Sequence, residues 1–375
     1  MRVVLLITKG EIGGAQTHVI ELCGALRQQC EFLVLIGGCE QSPLRDALTS
    51  MNIRVKSIKP LSNEVSLRSM VASVRQVAGY ARSWGADVIH VHSAMAAVTG
   101  RIAGRLTQIP VVYTVHGFAF KPEFPLARRV LAFTGERLLA PFSNHVICVS
   151  PAERDLTMQL GVPAPRVSVI DNGISDSPLR ADPARQPATL IMVARMSFQK
   201  RHDLLLEALK VLRSRGVAPP RTLLAGDGPL GTGLRGAAAA SGLSCVSFCG
   251  DISNVAATLT QCQLFVLLSR YEGHPISVIE AMRAGLPILA SDLPAMRGMI
   301  TDGVEGLLTS DDPREIAGAL ERLLGDPALR SRMGAAARRR YEAEFSAAGM
   351  ADKVARVYGE VARPFVPEEI ATEVD

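Results

Sequence analysis

The chain has 375 residues, 48% of them hydrophobic and 21% charged, which suits a globular protein of two ordinary domains. No apolar run approaches the roughly 18–20 residues of a membrane span, and the run after Met1 is too short for a signal-peptide core, so the expected location is the cytoplasm. The net charge of +5 sits in the first half, where residues 1–180 hold 19 Lys/Arg against 13 Asp/Glu and the remainder 22 against 23.

In chain order, residues 2–7 read as a buried parallel strand. A loop with Gly10, Gly13 and Gly14 then opens a helix over about 15–28. The spacing G-x-x-G-G lets backbone approach a ligand without matching the dinucleotide fingerprint G-x-G-x-x-G. Strands are expected at 31–36, 53–58, 87–92, 110–115 and 145–150, with helices at 43–52, 67–84 and 94–106. The strand at 110–115 delivers His116 to its end. Ser150 is placed to cap a helix starting at Pro151. His90 and His92 alternate along one strand like a metal pair, but with no third ligand in sight they read as one buried and one exposed histidine. Residues 119–142 read as irregular, basic and aromatic.

From Ser175 to Pro187 the chain turns polar, with Pro178, Pro183 and Pro187. The spacing therefore predicts an N-terminal domain over 1–177, a linker over 178–187 and a second domain over 188–346. A last helix near 347–362 is expected to pack back on the first domain, with a frayed tail to 375. The second half restarts the alternation with strands at 189–193, 221–225 and 246–249 and a helix near 203–215. Helices are again expected at 313–324 and 328–345. Alternating strands and helices in two blocks imply α/β architecture with two doubly wound parallel sheets, whose ligands sit beyond the carboxyl ends of the strands.

The most informative stretch runs from Leu264 to Ala290. A strand-length apolar run leads into a loop carrying Glu272, then a helix that Pro275 starts and Gly285 stops. The N-terminus of such a helix suits an anion, because free N–H groups and the positive dipole end face the ligand. Glu272 and Glu280 flank that site and would repel phosphate, so each is expected to accept hydrogen bonds from sugar or ribose hydroxyls. Arg195 and Lys200, five apart after a strand, pair a guanidinium fork with a point charge and suit a diphosphate. Gly226-Asp227-Gly228-Pro229 is a turn after another strand. Seven cysteines without a C-x-x-C pair are expected as reduced thiols, and no zinc-finger, RRM or basic-helix pattern points to nucleic acid.

The stretch E-x7-E followed by A-M-x-x-G-L-P resembles the signature of retaining GT-B glycosyltransferases of the family 4 type, and the likeness extends over about 340 residues. The family's G-R-L-x-x-x-K-G appears here as Ala194 to Arg201, with both glycines replaced and both cations kept. The resemblance implies that Arg195 and Lys200 hold the diphosphate, Glu280 the ribose and Glu272 the donor sugar. It implies backbone contacts from Gly273, His274, Pro275 and Ile276, and a weaker role for Asp251 and Ile252 at the base. Gly13 and Gly14 would face the cleft, and His116 would stand near the donor sugar and acceptor as a catalytic group.

The implied reaction moves a sugar from a nucleotide diphosphate-sugar, UDP-linked by expectation, to an acceptor hydroxyl, with no metal and no cofactor. V-H-G-F-A-F and E-R-L-L resemble transferases of capsule, exopolysaccharide and lipopolysaccharide assembly, which implies a glycan or lipid-linked acceptor. A glycosidase is disfavoured because only Glu272 could lie near the sugar. A GT-B epimerase and a non-catalytic nucleotide-sugar-binding module are the remaining alternatives.

A helical wheel from Leu126 puts Leu126, Ala127, Val130, Leu131, Phe133 and Leu138 on one side and Arg128, Arg129 and Glu136 on the other. One expectation packs that apolar face on the sheet. The sharper one lays the stretch on a membrane at the cytoplasmic side, with Phe118, Phe120 and Phe124 in the interface and Lys121, Arg128 and Arg129 on anionic headgroups.

Overall fold

The structure, a computed structural model, describes residues 1–362 except 12, 39 and 63–65; the expected tail to 375 lies outside the described residues. Among the described residues, thirteen strands form two all-parallel sheets. In the first, β1 (Arg2–Ile7), β2 (Glu31–Gly37), β3 (Arg54–Ile58), β4 (Val88–His92), β5 (Val111–Val115), β6 (His145–Cys148) and β7 (Val167–Val169) take the order β3-β2-β1-β4-β5-β6-β7. In the second, β8 (Thr189–Val193), β9 (Arg221–Ala225), β10 (Val246–Gly250), β11 (Leu264–Leu267), β12 (Ile288–Ser291) and β13 (Gly306–Thr309) take the order β10-β9-β8-β11-β12-β13. Both orders reverse direction once, at β1/β4 and at β8/β11. Such a switch opens a crevice beyond the carboxyl ends of the strands.

The strands are apolar on both faces because helices cover both, the usual condition of parallel sheets. In β1, Val4 and Leu6 join one core cluster while Val3, Leu5 and Ile7 join the other. The second cluster also holds Met350, Ala351, Val354, Val357 and Tyr358. These come from the helix Ala347–Ala362, so the end of the chain returns to the first sheet. It crosses back beside the first crossing. Ile174 donates to the Phe345 carbonyl at 3.0 Å, Ala347 donates to the Ile174 carbonyl at 2.9 Å, and the Tyr341 hydroxyl reaches Ile174 O at 3.0 Å.

The polar linker is strapped down. Arg338 grips both Asp176 oxygens at 2.7 Å. Fully buried Arg330 donates to the carbonyls of Pro183 (2.7 Å), Leu323 (2.7 Å) and Leu324 (3.0 Å).

Within the stretch read as irregular, Leu126–Leu139 forms the helix that the wheel assumed, but of the face expected to pack inward only Phe133 does so. Leu126, Val130, Leu131 and Leu138 are 57–74% exposed, while Ala132 and Phe133 pack on the core. The reason is a buried charge. Arg101, on the small-residue helix Ala94–Thr107, is 2% exposed and binds Glu136 at 2.6 Å and Ser143 Oγ at 2.9 Å, with its guanidinium 4.4 Å from the Tyr113 ring centroid. An unpaired buried guanidinium costs several kcal/mol, so Glu136 must face inward, and the periodicity then turns the leucines out. Phe118 and Phe120, expected at a membrane, are buried and stacked at 4.6 Å. Lys121 is committed to Glu153 and the Glu272 carbonyl.

Arg101→Leu is expected to destabilise the protein by about 3–5 kcal/mol, because it strands Glu136 in the core, whereas Arg101→Leu with Glu136→Leu restores most of that loss. Urea unfolding of both variants measures the difference; equal losses would contradict the account.

Candidate active site

The carboxyl ends of both sheets face one cleft of about 1140 Å³. From the first sheet come the loop after β1, with Gly13 and Gly14, and His116 after β5. From the second come Arg195 and Lys200 after β8, Gly226 to Pro229 after β9, Asp251 and Ile252 after β10, and Glu272, Gly273, His274, Pro275, Ile276, Ser277 and Glu280 after β11. Every residue that the resemblance assigned to the donor or to catalysis lines this cleft, whereas His90, His92 and the aromatic and basic residues of 118–129 do not.

Two helix N-termini open into it. The helix Gly14–Leu26 begins at Gly13 and the helix Ile276–Ala284 at Pro275, neither with a side-chain cap. Pro275 is thus the capping residue rather than the first helical one, while Gly285 ends the second helix in the left-handed conformation, φ 80°. The first amides of each helix have no carbonyl of their own to bind and remain donors for a ligand.

Two glycines permit close approach. A Cβ on Gly273 would collide with the His116 carbonyl, so only glycine lets this loop touch the opposite domain. Gly226, at φ +119°, lies against the Ala194 carbonyl and brings the β9 turn beside Arg195.

The charges are arranged less simply than the spacing implies. Lys200 forms an ion pair with Glu272. Glu272 also accepts from Ser269 Oγ at 2.5 Å, and Gln199 Nε2 holds the Tyr271 carbonyl at 2.9 Å. An ammonium has three donors, so one bond to Glu272 leaves two for a ligand. Arg195 is exposed to the cleft, and its guanidinium has no hydrogen-bond or ion-pair partner among the described residues. The Asp251 carboxylate is partly spent, accepting from the Asp227 amide at 3.0 Å.

Glu280 is half-buried on the cleft wall. Desolvation pushes its carboxyl up to about 7; Arg283 pulls it down and Glu21 pushes it up.

Sequence reasoning missed the polar layer beneath the cleft. His90 and His92 are both fully buried, not one in and one out. His90 is saturated by Tyr358 (2.6 Å) and Thr114 (2.7 Å). His92 Nδ1 instead faces His116 Nε2 at 3.2 Å, and His18, from the first helix, lies tilted to His92 and edge-on to His116, with ring centroids 5.2 and 5.0 Å away. The third histidine that the sequence seemed to lack therefore comes from a distant element. Asn172 links the two domains, facing His18 Nδ1 at 2.9 Å and donating to the His274 carbonyl at 2.8 Å. Burial holds the imidazoles of His92 and His116 well below their usual pKa and lowers that of His18 to about 4.

Comparison with known proteins matches residues 12–177 to Glycosyltransferase Family 4 and residues 179–340 to Glycosyl transferases group 1. A UDP-Gal:alpha-D-GlcNAc-diphosphoundecaprenol alpha-1,3-galactosyltransferase of Escherichia coli is 27% identical over 77% of this chain and 79% of its own length. A GDP-mannose:cellobiosyl-diphosphopolyprenol alpha-mannosyltransferase of Xanthomonas campestris is 31% identical over 60% of this chain and 61% of its own. The crystal structure of Anabaena Alr3699/HepE in complex with UDP and glucose superposes with a TM-score of 0.81, at 22% identity, over 95% of this chain and 99% of that one. With both sheets, their shared cleft and both halves matched, the chain belongs to the GT-B glycosyltransferases of the family 4 type.

Proposed function

We propose that the protein transfers a sugar from a UDP-linked donor to the hydroxyl of a lipid-linked glycan, with retention at the anomeric carbon, in cell-surface polysaccharide or glycolipid synthesis. The observation that carries this reading is the convergence of Arg195, Lys200 and two uncapped helix N-termini on one cleft, with Glu272 and Glu280 on one wall and His116 on the other. The names of the two relatives support it, since each prints a nucleotide sugar, a diphospholipid acceptor and an alpha linkage. Nucleotide-linked galactose and mannose carry α bonds, so an α product means retention.

In this reading the bond from the anomeric carbon to the β-phosphate oxygen breaks while the acceptor oxygen bonds the same face. The acceptor proton passes to the departing phosphate oxygen. The residues chiefly stabilise the diphosphate's developing charge, the electrostatic contribution that is commonly largest. Arg195 and the two free donors of Lys200 take the phosphate oxygens. The free amides at the N-termini of the two helices Gly14–Leu26 and Ile276–Ala284 add to them. Four such sources of positive field serve without a divalent ion, and the chain has no D-x-D to hold one. Glu272, oriented by Ser269 and Lys200, receives donor-sugar hydroxyls, Glu280 the ribose hydroxyls, and Asp251 and Ile252 flank the base. His116 stands opposite at the reacting carbon.

Calorimetry with UDP tests this site. Charge-assisted bonds to a diphosphate contribute roughly 1.5–3 kcal/mol each, so Arg195→Ala and Lys200→Ala should each weaken UDP about 10- to 150-fold. Glu280 adds a pH signature. Its carboxyl carries a proton in the free protein below about 7, and ribose hydroxyls donate best to the ionised form. Binding therefore expels that proton, and affinity rises with pH up to about 7 and levels off above it. Glu280→Gln should flatten the dependence. UDP affinity unchanged in both cation variants, or an identical pH profile in Glu280→Gln, would remove the assigned contacts.

The acceptor's lipid gives the helix Leu126–Leu139 a role. Its outward leucines with Arg128 and Arg137, all exposed, form an amphipathic face for an anionic bilayer, beside the cleft mouth where Phe124 meets Tyr271 at 5.4 Å. Each cation near such a surface contributes ~1 kcal/mol, which gives weak, salt-sensitive attachment. Sedimentation with anionic liposomes should pull the protein down at low salt, and Leu131→Glu should release it. Full recovery in the supernatant at every salt concentration would contradict this placement.

A further inference from the structure

Beneath the donor cleft, His18, His92 and His116 each offer a ring nitrogen, and the three lie within 4.8 Å of one another. We propose that these three histidines form a site for a borderline-soft divalent metal ion such as Zn²⁺, and that its occupancy inhibits the enzyme. The binding site stands on the geometry; its effect on transfer rests on the function proposed above.

The hydrogen bonds assign the ligand atoms. Asn172 Nδ2 donates to the His274 carbonyl at 2.8 Å, which fixes the amide so that its oxygen faces His18 Nδ1 at 2.9 Å. A carbonyl oxygen only accepts, so Nδ1 carries the proton and Nε2 carries a lone pair. That Nε2 is buried and has no partner, and neither does His92 Nε2. An imidazole held through its other nitrogen by a hydrogen-bond acceptor is the usual support of a metal-binding histidine. The second and third ligands are spaced for the same ion. Two nitrogens bound at 2.0–2.1 Å to a tetrahedral zinc stand about 3.3 Å apart, and His92 Nδ1 lies 3.2 Å from His116 Nε2. On binding, the proton shared between these two moves to the other nitrogen of the ring that donated it, Nε2 of His92 or Nδ1 of His116, so three neutral imidazoles ligate with no net proton loss.

Access is built in. His18 and His92 are 1% and 0% exposed, whereas His116 is half-buried and lines the cleft, so an ion enters past His116 and its fourth position opens to the cleft. His90, though its ring centroid is only 4.2 Å from that of His92, has both nitrogens committed and is excluded. A metal here takes the His116 nitrogen away from the sugar and puts a dication where the catalytic charges are balanced for a neutral imidazole. The consequence is reversible inhibition by zinc of an enzyme that needs no metal to turn over.

Co²⁺ titration of untagged, EDTA-treated protein tests the binding directly. The expected result is one ion per chain with the intense visible bands of a tetrahedral site. These bands should be lost in His18→Gln and in His92→Gln and retained in His145→Asn. Asn172→Ala, which keeps all three ligands, should weaken the ion about 10- to 100-fold; it keeps the test decisive if a buried histidine variant fails to fold. No tetrahedral spectrum, or one that survives His18→Gln or is untouched by Asn172→Ala, overturns the site. In the transfer assay, EDTA-treated enzyme should be fully active, Zn²⁺ should suppress it and chelator should restore it. Tetrahedral Co²⁺ binding without any effect of Zn²⁺ on transfer upholds the site and overturns the inhibition, while binding by a protein that transfers no sugar upholds the site and removes the proposed function instead.

Discussion

Every strand in a parallel sheet sends its carboxyl end to the same edge, and here the chain crosses between two such sheets twice at one place. The Ile174, Phe345 and Ala347 backbones bond across the two crossings, and the helix Ala347–Ala362 is buried against the first sheet. Those bonds face the two active edges toward each other, and they make the loops after β1, β5, β8, β9, β10 and β11 into walls of a single cleft. Gly273 against His116 and Asn172 beneath His274 mark how closely the walls meet. Without this junction each sheet would carry half of a site.

Within the cleft, positive field is held in reserve by different means on the two sides. Helix N-termini supply it from rigid backbone, at no cost in side-chain ordering. Arg195 supplies it from an exposed fork. Lys200 is different: it is already paired with Glu272, so its charge is positioned before a donor arrives. In the proposed function, that pairing ties the cation assigned to the diphosphate to the carboxylate assigned to the sugar. Lys121 extends the coupling across the cleft, joining Glu153 in the first domain to the Glu272 carbonyl in the second.

The architecture was legible because the parallel strands are apolar on both faces and alternate with amphipathic helices; helix 67–84 was read to the residue. The cleft residues were legible because they sit at strand ends, in loops whose glycines, cations and glutamates have few structural reasons to be there. What the sequence concealed were pairings between distant elements. Nothing local shows that Arg101 is buried, so a wheel of residues 126–139 puts Leu126, Val130, Leu131 and Leu138 inward, and the membrane alternative for Phe118 and Phe120 fails against their burial. His18 looked like an ordinary helical residue until the fold set it beside His92, 74 positions later. Asn172 acquired meaning only when the His274 carbonyl came within reach.

Proton NMR of the transfer reaction, run with UDP-α-sugars and a diphospholipid-linked saccharide, addresses the central claim most directly, because donor use, transfer and stereochemistry are read together. The account predicts UDP release matched by a new glycosidic bond whose anomeric coupling is that of an α linkage from the first turnover. A β-linked product, or no UDP release from any nucleotide sugar with a folded protein, would contradict it.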